Sequence, residues 1–229
     1  MTMHFDPQEP GNGGLPHDPF KGLIVPRPIG WISTLNTKGQ VNLAPYSAFN
    51  MVGYNPNVVM FSSAGRKDTL KNIEATGEFV CNLATYELRD AVSDSSVPVD
   101  HGVDEMTLTG LTAAPSVKVK PPRVAESPAA LECKYLATIP VPRSDGAEPS
   151  DFMVLGEVVG VYIDERVLTD GKVDIAKLKP LTRLGYMDYA VVDTVFSMDR
   201  PKATPDGLTY ISYRSPGITA WNLITISFT

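Results

Sequence analysis

The chain has 229 residues, of which 43% are hydrophobic and 8% aromatic, and its formal net charge is −6. This length predicts one domain with additions rather than two domains. The acidic balance disfavours nucleic acid as a partner, because affinity for nucleic acid depends on clustered positive charge. No run of about 18 or more apolar residues is present, so no membrane span is expected.

The first 19 residues are polar and rich in glycine and proline, which predicts a flexible N-terminal arm. They lack the basic start and apolar run of a signal peptide, so we expect a cytoplasmic location. Residues 11–14, Gly-Asn-Gly-Gly, follow no strand and precede no helix. They are interpreted as part of a linker rather than as a dinucleotide-binding loop.

The first half of the following domain alternates short apolar segments with turns. Residues 29–35 predict a strand, 37–39 a turn and 41–43 another apolar segment. Pro45 cannot donate a hydrogen bond to a sheet, so it predicts a strand end, an edge or a bulge. Further strands are predicted at 58–62 and 79–83.

A helix is predicted between these last two strands, from about Thr69 to Ala75. Asp68 is expected to cap its N-terminus and Gly77 to end it. Leu70 and Ile73 would then face the core. A second short helix is predicted at 86–95.

The second half contains the two longest predicted strands, 131–139 and 152–163, separated by a polar loop at 140–150. The second strand is apolar on both faces, which suits a covered barrel wall. Shorter segments follow at 173–178 and 184–191. The chain is therefore predicted to be mainly β with short helices, an antiparallel barrel in a domain spanning 20–214. The C-terminal tail, 215–229, is open to three interpretations: an extra strand, a swapped arm, or sequence foreign to the domain.

The cysteines and histidines indicate no metal site. Cys81 and Cys133 each lie in an apolar run and are interpreted as buried reduced thiols. His4, His17 and His101 share no ligand spacing with one another or with a cysteine, which argues against structural zinc. Trp31 and Trp221 are interpreted as core or interface aromatics, and the adjacent acids Asp104 and Glu105 as surface or helix-entry residues.

Residues 62–69, Ser-Ser-Ala-Gly-Arg-Lys-Asp-Thr, join a predicted strand to a predicted helix start. A helix N-terminus exposes unpaired N–H groups and a partial positive charge, to which hydroxyls and two basic side chains are added here. These features suit a phosphate group, although a solvated basic turn before a capped helix explains the same residues. The candidate phosphate ligands are Ser62, Ser63, Arg66, Lys67 and Thr69.

Residues 42–47, Asn-Leu-Ala-Pro-Tyr-Ser, form a second candidate segment. A strand that breaks at Pro45 would free backbone N–H groups among apolar neighbours. A planar heteroaromatic ring needs such surroundings, with a few donors and acceptors along one edge. An irregular barrel strand without a ligand explains these residues as well.

The chain resembles the flavin reductase-like family over about residues 20–200. The resemblance rests on the order and spacing of several segments, which are residues 27–34, 42–49, 55–56, 66–69, 72–73, 78–83, 104–106, 127–128, 131–133 and 156–159. It implies an FMN-binding split β-barrel, normally a homodimer with the flavin near the subunit interface. It also implies that Ser62, Ser63, Arg66, Lys67 and Thr69 hold the flavin phosphate. The residues implied to line the flavin ring and ribityl chain are Thr34, Asn42, Leu43, Ala44, Pro45, Tyr46 and Ser47.

This resemblance implies an oxidoreductase in which NAD(P)H passes hydride to N5 of the flavin, for use by free flavin, oxygen or a partner monooxygenase. Many relatives carry a histidine shortly before the strand with Gly-Glu-Val, where this chain has Asp151-Phe152-Met153. A non-catalytic FMN carrier is therefore an alternative. Another ligand on the same fold is a further alternative, although no well-placed histidine supports haem. No Gly-x-Ser-x-Gly motif indicates a hydrolase.

Overall fold

The computed structural model describes residues 14–198, 202–203 and 210–211. The chain divides into two compact units, Met1–Asp193 and Thr194–Thr229. Most of the predicted N-terminal arm, His4, Trp221 and the predicted tail at 215–229 lie outside the described residues. The domain limits predicted at 20 and 214 stay predictions.

Helices are few and short in the described part of the chain. The longest is α2, which follows a strand and has nine residues. The α-helices are α1 (Phe20–Leu23), α2 (Asp68–Thr76), α3 (Arg89–Asp94), α4 (Glu105–Leu108) and α5 (Ile175–Leu178), and a 3-10 turn covers Glu165–Val167.

Strands make up most of the regular structure. They are β1 (Arg27–Pro28), β2 (Gly30–Leu35), β3 (Val41–Tyr46), β4 (Phe49–Tyr54), β5 (Asn57–Ala64), β6 (Glu78–Leu83), β7 (Ala113–Ala114), β8 (Arg123–Val124), β9 (Ala129–Pro140), β10 (Asp151–Ile163), β11 (Leu168–Thr169), β12 (Lys172–Val173), β13 (Leu181–Arg183), β14 (Tyr189–Val191), β15 (Lys202–Ala203) and β16 (Tyr210–Ile211). In the second unit, β15 and β16 pair antiparallel.

Seven strands form one antiparallel sheet in the order β3-β2-β6-β9-β10-β5-β4. The sheet curls so that β5 approaches β3. The Tyr46 and Phe61 ring centroids lie 4.6 Å apart, and the Ser62 N–H donates to the Ala48 carbonyl at 2.8 Å. The fold is the split barrel that the resemblance implies, and the prediction of a mainly β chain is confirmed.

The predicted strands at 29–35, 58–62, 79–83, 131–139 and 152–163 are confirmed, with small differences at their ends. The expected break at Pro45 is wrong, because β3 continues through Pro45 to Tyr46. Since β3 pairs only with β2 in the sheet, it is an edge strand, where a residue without an N–H is tolerated. The edge interpretation of Pro45 is therefore the confirmed one.

The core of the described residues contains two large hydrophobic clusters, which alternating strand residues separate, and a small third cluster of Val80, Val119 and Ala130. On β2, Ile32 belongs to the barrel cluster and Trp31 to the outer cluster, as the period of two in a strand requires. The barrel cluster contains Ile32, Tyr46, Val59, Phe61, Leu70, Ile73, Phe79, Cys81, Cys133 and Val154. The outer cluster contains Ile29, Trp31, Leu43, Ala84, Val92, Met106, Val124 and Leu181.

Aromatic rings fill the inside of the barrel. Tyr46 contacts Phe61, and Phe61 meets Phe79 edge to face at 6.0 Å between centroids. Gly156 on β10 makes room for this packing, because a Cβ atom there would overlap the Phe79 ring. Both cysteines are free and buried in the same cluster, which confirms the interpretation of reduced thiols.

Helix α2 closes one side of the barrel. Leu70 and Ile73 are fully buried in the barrel cluster, as predicted. Gly77 ends the helix with a positive φ of 75°, and its N–H donates to the Ile73 carbonyl at 2.7 Å. Glycine adopts this conformation without the cost of a Cβ atom. The predicted end of the helix at Gly77 is therefore confirmed.

Candidate functional site

The turn between β5 and α2 is fixed by local hydrogen bonds. Gly65 has a φ of 79°, and its N–H donates to the Ser150 carbonyl at 2.8 Å. The Ser63 hydroxyl donates to the Gly65 carbonyl at 2.8 Å. Because only glycine adopts this φ readily, the chain can turn sharply from the barrel into the helix here.

The N-terminus of α2 has no side-chain cap. Lys67 occupies the capping position with an extended backbone, and no side chain accepts from the first turn. Within the described residues, no group accepts a hydrogen bond from the N–H of Thr69 or Leu70. Unpaired N–H groups and the helix dipole make such an end favourable for an anion.

The prediction that Asp68 caps α2 is wrong. Asp68 is the first residue of the helix, and its carboxylate lies 3.5 Å from Lys71 Nζ and 2.9 Å from His101 Nδ1. A residue at this position has helical dihedrals, so its side chain points away from the N–H groups that a cap would bind. The first turn therefore stays open.

Four hydroxyl and amide side chains from three elements are paired beside this open end. Asn42 Nδ2 donates to Thr69 Oγ1 at 2.9 Å, and Asn72 Nδ2 donates to Thr34 Oγ1 at 3.1 Å. All four residues are buried. Buried polar groups cost free energy unless they are paired, so these bonds fix the positions of both threonine hydroxyls.

Tyr46 adds a buried hydroxyl whose oxygen has no hydrogen-bond partner within the described residues. The Thr69 and Ser63 hydroxyls are near enough to lower the pKa of the phenol. Burial raises the pKa of the Tyr46 phenol above 10.0, the neighbouring hydroxyls oppose that rise, and the charges of Glu105 and Asp68 add to it. The phenol therefore stays protonated as a donor, and a buried donor without an acceptor is a mark of a ligand site.

The two basic residues before the helix differ in their contacts. Arg66 forms an ion pair with Glu74 on the next turns of α2, and its guanidinium carbon lies 5.4 Å from the Phe152 ring centroid. Its side chain is about half exposed, at 51%. Lys67 is exposed, and no carboxylate in the described part of the chain pairs with it. Both cations lie next to the open end of α2.

The predicted site residues on β3 and β5 divide between two faces. Asn42, Ala44 and Tyr46 alternate onto the side that faces the barrel cluster and α2. Leu43 packs in the outer cluster instead, and Pro45 shares its face by the same alternation. On β5, Ser63 is fully buried toward the barrel, whereas Ser62 lies on the opposite face.

The structure thus brings together six of the predicted site residues at the open end of α2: Thr34, Asn42, Tyr46, Ser63, Thr69 and Lys67. Ala44 and Arg66 lie beside them, and Ser47 is half-buried directly after β3. The side chains of Leu43, Pro45 and Ser62 do not face this group, so only their backbone could contribute to it.

Sequence reasoning missed Glu105, because its description as a surface or helix-entry residue is only half right. Asp104 does cap α4, but Glu105 is buried and its Oε2 accepts the Leu43 N–H at 2.8 Å. Burial raises the pKa of Glu105, as do the charges of Asp104 and Asp68, while the bond from Leu43 opposes the rise. Glu105 therefore fixes the backbone of β3 where a ring ligand is predicted. The available signal was the position of Glu105 directly after the capping aspartate, Asp104.

A separate cleft of about 410 Å³ lies beside the outer cluster, between α3 and the β13–β14 pair. Two tyrosines are prominent in it, and the Arg89 guanidinium carbon lies 4.4 Å from the Tyr86 ring centroid. None of the predicted site residues contributes to this cleft. Its lining residues are Tyr86, Arg89, Asp90, Ser93, Leu181, Tyr189, Ala190 and Val191.

No cluster of His, Cys, Asp or Glu suited to a metal ion is present among the described residues. In the same part of the chain, no helix is long and apolar enough to cross a bilayer. The open helix end, two cations and an unpaired phenol fit a phosphorylated organic cofactor. They form one continuous group of donors on the polar side of β3.

Comparison with known proteins gives a consistent result. The family model described as "Flavin reductase like domain" matches residues 22–189. An uncharacterized protein of Halalkalibacterium halodurans is 36% identical over 186 residues, which are 79% of this chain and 88% of that protein.

Two solved structures are similar over most of their length. Nitrilotriacetate monooxygenase component B from Bacillus cereus superposes with a TM-score of 0.78 and 28% identity, over 86% of this chain and 99% of that chain. The 2-nitrobenzoate 2-nitroreductase NbaA of Pseudomonas fluorescens has a TM-score of 0.71 and 30% identity, over 81% and 90%.

Proposed function

Because the chain belongs to the flavin reductase-like family, we propose that it binds FMN at the N-terminus of α2 and reduces flavin with NAD(P)H. The observation that carries the proposal is the uncapped first turn of α2, which lies beside two cations and a buried phenol without an acceptor. A phosphate there would accept hydrogen bonds from the first-turn N–H groups of α2, which have no other acceptor within the described residues.

Of the five phosphate ligands predicted from sequence, we assign the phosphate to Ser63, Arg66, Lys67 and Thr69. Ser62 is left out of this assignment, because its side chain lies on the opposite face of β5 and its N–H donates to the Ala48 carbonyl. Lys67 supplies an unpaired charge, and Thr69 supplies a hydroxyl that Asn42 already orients. Arg66 would release Glu74 and pair with the phosphate instead, so that one ion pair replaces another. Charge-assisted bonds of this kind are stronger than those between neutral groups.

The ring and ribityl chain are assigned to Thr34, Asn42, Leu43, Ala44, Pro45, Tyr46 and Ser47. Tyr46 offers its phenol as a donor, and Leu43 and Pro45 contribute backbone only. When bound, FMN would supply the redox chemistry, with its N5 as the proposed hydride acceptor, and the residues of this site would supply position and polarity. Glu105 keeps the β3 backbone in place, because it holds the Leu43 N–H.

A second candidate is a non-catalytic FMN carrier. The observation that favours it is Phe152, which occupies the region where the family resemblance implies a histidine in many relatives, and which contacts the Arg66 guanidinium. A carrier needs the phosphate site but no place for nicotinamide. The two candidates therefore predict the same binding and different turnover.

The proposal includes a homodimer. The outer edge of the sheet is β4, whose Met51, Val52 and Tyr54 are exposed at 52%, 53% and 78%. An exposed apolar edge strand is a common place for a second chain to pair. A partner monooxygenase that uses reduced flavin is also proposed, on the example of the similar component B. The cytoplasmic location stays a proposal.

Anaerobic stopped-flow mixing of the FMN-loaded protein with NADH, and separately with NADPH, tests the enzyme against the carrier. The enzyme predicts bleaching of the flavin absorbance band faster than with free FMN at the same concentration. Stoichiometric FMN binding without accelerated bleaching by either nucleotide would favour the carrier. A purified protein that neither carries nor takes up FMN would contradict both.

A further inference from the structure

The loop between α3 and α4 places a histidine on the open end of α2. His101 Nδ1 lies 2.9 Å from Asp68 Oδ2, across 33 residues of sequence. The imidazole is 61% exposed and the carboxylate 27% exposed. The loop is anchored on its other side by Gln40, whose Nε2 donates to the Gly102 carbonyl at 3.5 Å.

Asp68 is the one residue of the first turn of α2 whose charge opposes an anion. A carboxylate in this turn interacts favourably with the helix dipole, but it also repels a phosphate bound at the same N–H groups. Its charge reaches into the site, because it raises the pKa of both Tyr46 and Glu105, behind larger effects of burial. Whatever neutralises Asp68 therefore favours a bound phosphate.

The charged groups around this contact come from three elements. On α2, Lys67 precedes Asp68, and Lys71 Nζ lies 3.5 Å from Asp68 Oδ1. The loop and the start of α4 carry Asp100, Asp104 and Glu105, and β3 carries Tyr46. Among these groups, Glu105 has a raised pKa, chiefly because of its burial, and His101 is the one that can place a positive charge against Asp68 from outside α2.

We propose that His101 is a positioning residue for the phosphate of the cofactor. In its protonated form it binds Asp68 and withdraws that negative charge from the N-terminus of α2. The inference rests on the proposed function and deepens it, because it makes FMN affinity depend on a residue that does not touch FMN. It also assigns a role to the loop that covers this end of the helix.

The sign of the effect follows from the charges. An imidazolium at His101 neutralises Asp68, and phosphate binding is favoured. A neutral imidazole leaves the charge of Asp68 uncompensated, so that Asp68 repels the phosphate and affinity falls. The second ionisation of a phosphate monoester, near pH 6, acts in the opposite direction. The ratio of two dissociation constants, for variant and parent protein, removes this contribution because the ligand is the same.

The test measures FMN dissociation constants by quenching of flavin fluorescence from pH 5.5 to 8.5, for the parent protein and for His101→Gln. Two charges about 5–8 Å apart in a partly solvated site interact strongly enough for a three- to tenfold effect. We expect His101→Gln to bind FMN about three- to tenfold more weakly at pH 5.5 and within about twofold at pH 8.5. Riboflavin, which lacks the phosphate, should show the same ratio at both pH values.

Two further variants make the test specific. His17→Gln removes a histidine that contacts Tyr186 elsewhere in the molecule and should follow the parent curve. In an Asp68→Asn background, His101→Gln should change FMN affinity by less than about twofold at every pH, because the charge that it neutralises is gone. Melting temperatures of each variant, measured at each pH, show whether it is folded.

The inference would be overturned if the ratio of FMN dissociation constants, His101→Gln to parent, did not change with pH, or if the ratio for riboflavin changed equally. Either result would leave the proposed function standing. Failure of the parent protein to bind FMN at any pH would overturn both. A loss of affinity in His101→Gln that is the same in the Asp68→Asn background would also overturn the inference, since it would mean that His101 acts by another route.

Discussion

Helices α2 and α4 both pack against β3, both begin with an acidic residue, and their N-termini are built in opposite ways. Asp104 caps α4 by accepting the N–H groups of Met106 at 2.9 Å and Thr107 at 3.3 Å. The corresponding position of α2 is Lys67, whose carbonyl accepts the Lys71 N–H but whose side chain caps nothing. The first helical acid of α4 faces inward to the Leu43 N–H, whereas Asp68 of α2 faces outward to His101.

The two N-termini differ in what their polar groups do: those of α4 stabilise the fold, and those of α2 are left open for the proposed ligand. At the start of α4, Asp104 accepts hydrogen bonds from the first-turn N–H groups, and the Glu105 carboxylate accepts the Leu43 N–H of β3. The start of α2 leaves its donors unpaired and surrounds them with cations and oriented hydroxyls. A helix end that is kept open at a cost in stability is best explained by a ligand that closes it.

The largest effect is expected on FMN affinity when both cations beside α2 are removed. Arg66→Ala with Lys67→Ala should weaken FMN binding by about 30- to 150-fold, equivalent to about 2–3 kcal/mol, since two half-exposed charge-assisted contacts are lost. Titration calorimetry measures the change. Riboflavin affinity should change little.

A matched control for that pair is Lys38→Ala with Lys172→Ala, which removes two exposed lysines elsewhere in the chain, one from a turn and one from strand β12. If the control weakens FMN binding as much as the test pair, net charge rather than the open helix end determines affinity. The comparison of the two helices would then lose its functional meaning.

At the start of α4, loss of the buried carboxylate should destabilise the fold. Glu105→Ala leaves the Leu43 N–H without an acceptor, which costs about 1–3 kcal/mol. For a chain of this size we expect a fall in melting temperature of about 2–10 °C. Differential scanning calorimetry measures it, and Glu105→Gln, which keeps an acceptor oxygen, should lose clearly less.

The capping difference itself predicts a smaller contrast. Asp104→Ala should cost about 1 kcal/mol, because two first-turn N–H groups lose their acceptor. Asp68→Ala should change the free energy of unfolding by less than about 0.5 kcal/mol, since its partners are exposed and it caps nothing. Chemical denaturation measures both free energies of unfolding. Equal losses in Asp104→Ala and Asp68→Ala would contradict the difference in capping.

The smallest effect concerns pH. The pKa of Glu105 is raised by folding, so the folded state binds its proton more tightly than the unfolded state does. A raised carboxyl pKa means that this contribution is present at low pH and is lost as pH rises above about 4.5, the value without folding. Glu105→Gln cannot titrate, so its stability relative to the parent should improve from pH 4 to pH 7. A constant difference in melting temperature would contradict this.

Local features of the fold were predictable from the sequence. The strands and the end of α2 follow from apolar runs and from Gly77, and the candidate phosphate site stays a prediction that rests on small and basic residues next to a helix start. The sequence left a strand end, an edge and a bulge open at Pro45, because the choice among them depends on the position of β3 in the sheet. The pairing of Arg66 with Glu74 was also unforeseen, since both residues look like solvated charges.

The contacts that complete the site are long-range, which explains why sequence reasoning missed them. The bond from Leu43 to Glu105 spans 62 residues, and the segment that carries His101 meets α2 only after two more elements have formed. Residue types show that Glu105 and His101 can ionise. They do not show which neighbour each one meets, and the role of each residue depends on that neighbour.

The aromatic packing inside the barrel bears on how a flavin would enter and leave. Gly156 lets the Phe79 ring pack inside the barrel against Phe61, whereas the proposed FMN site lies at the N-terminus of α2. If FMN is held there, its exchange requires no separation of the barrel strands. We expect uptake and release of FMN to proceed far faster than global unfolding, which amide hydrogen exchange of the barrel strands during cofactor exchange would reveal.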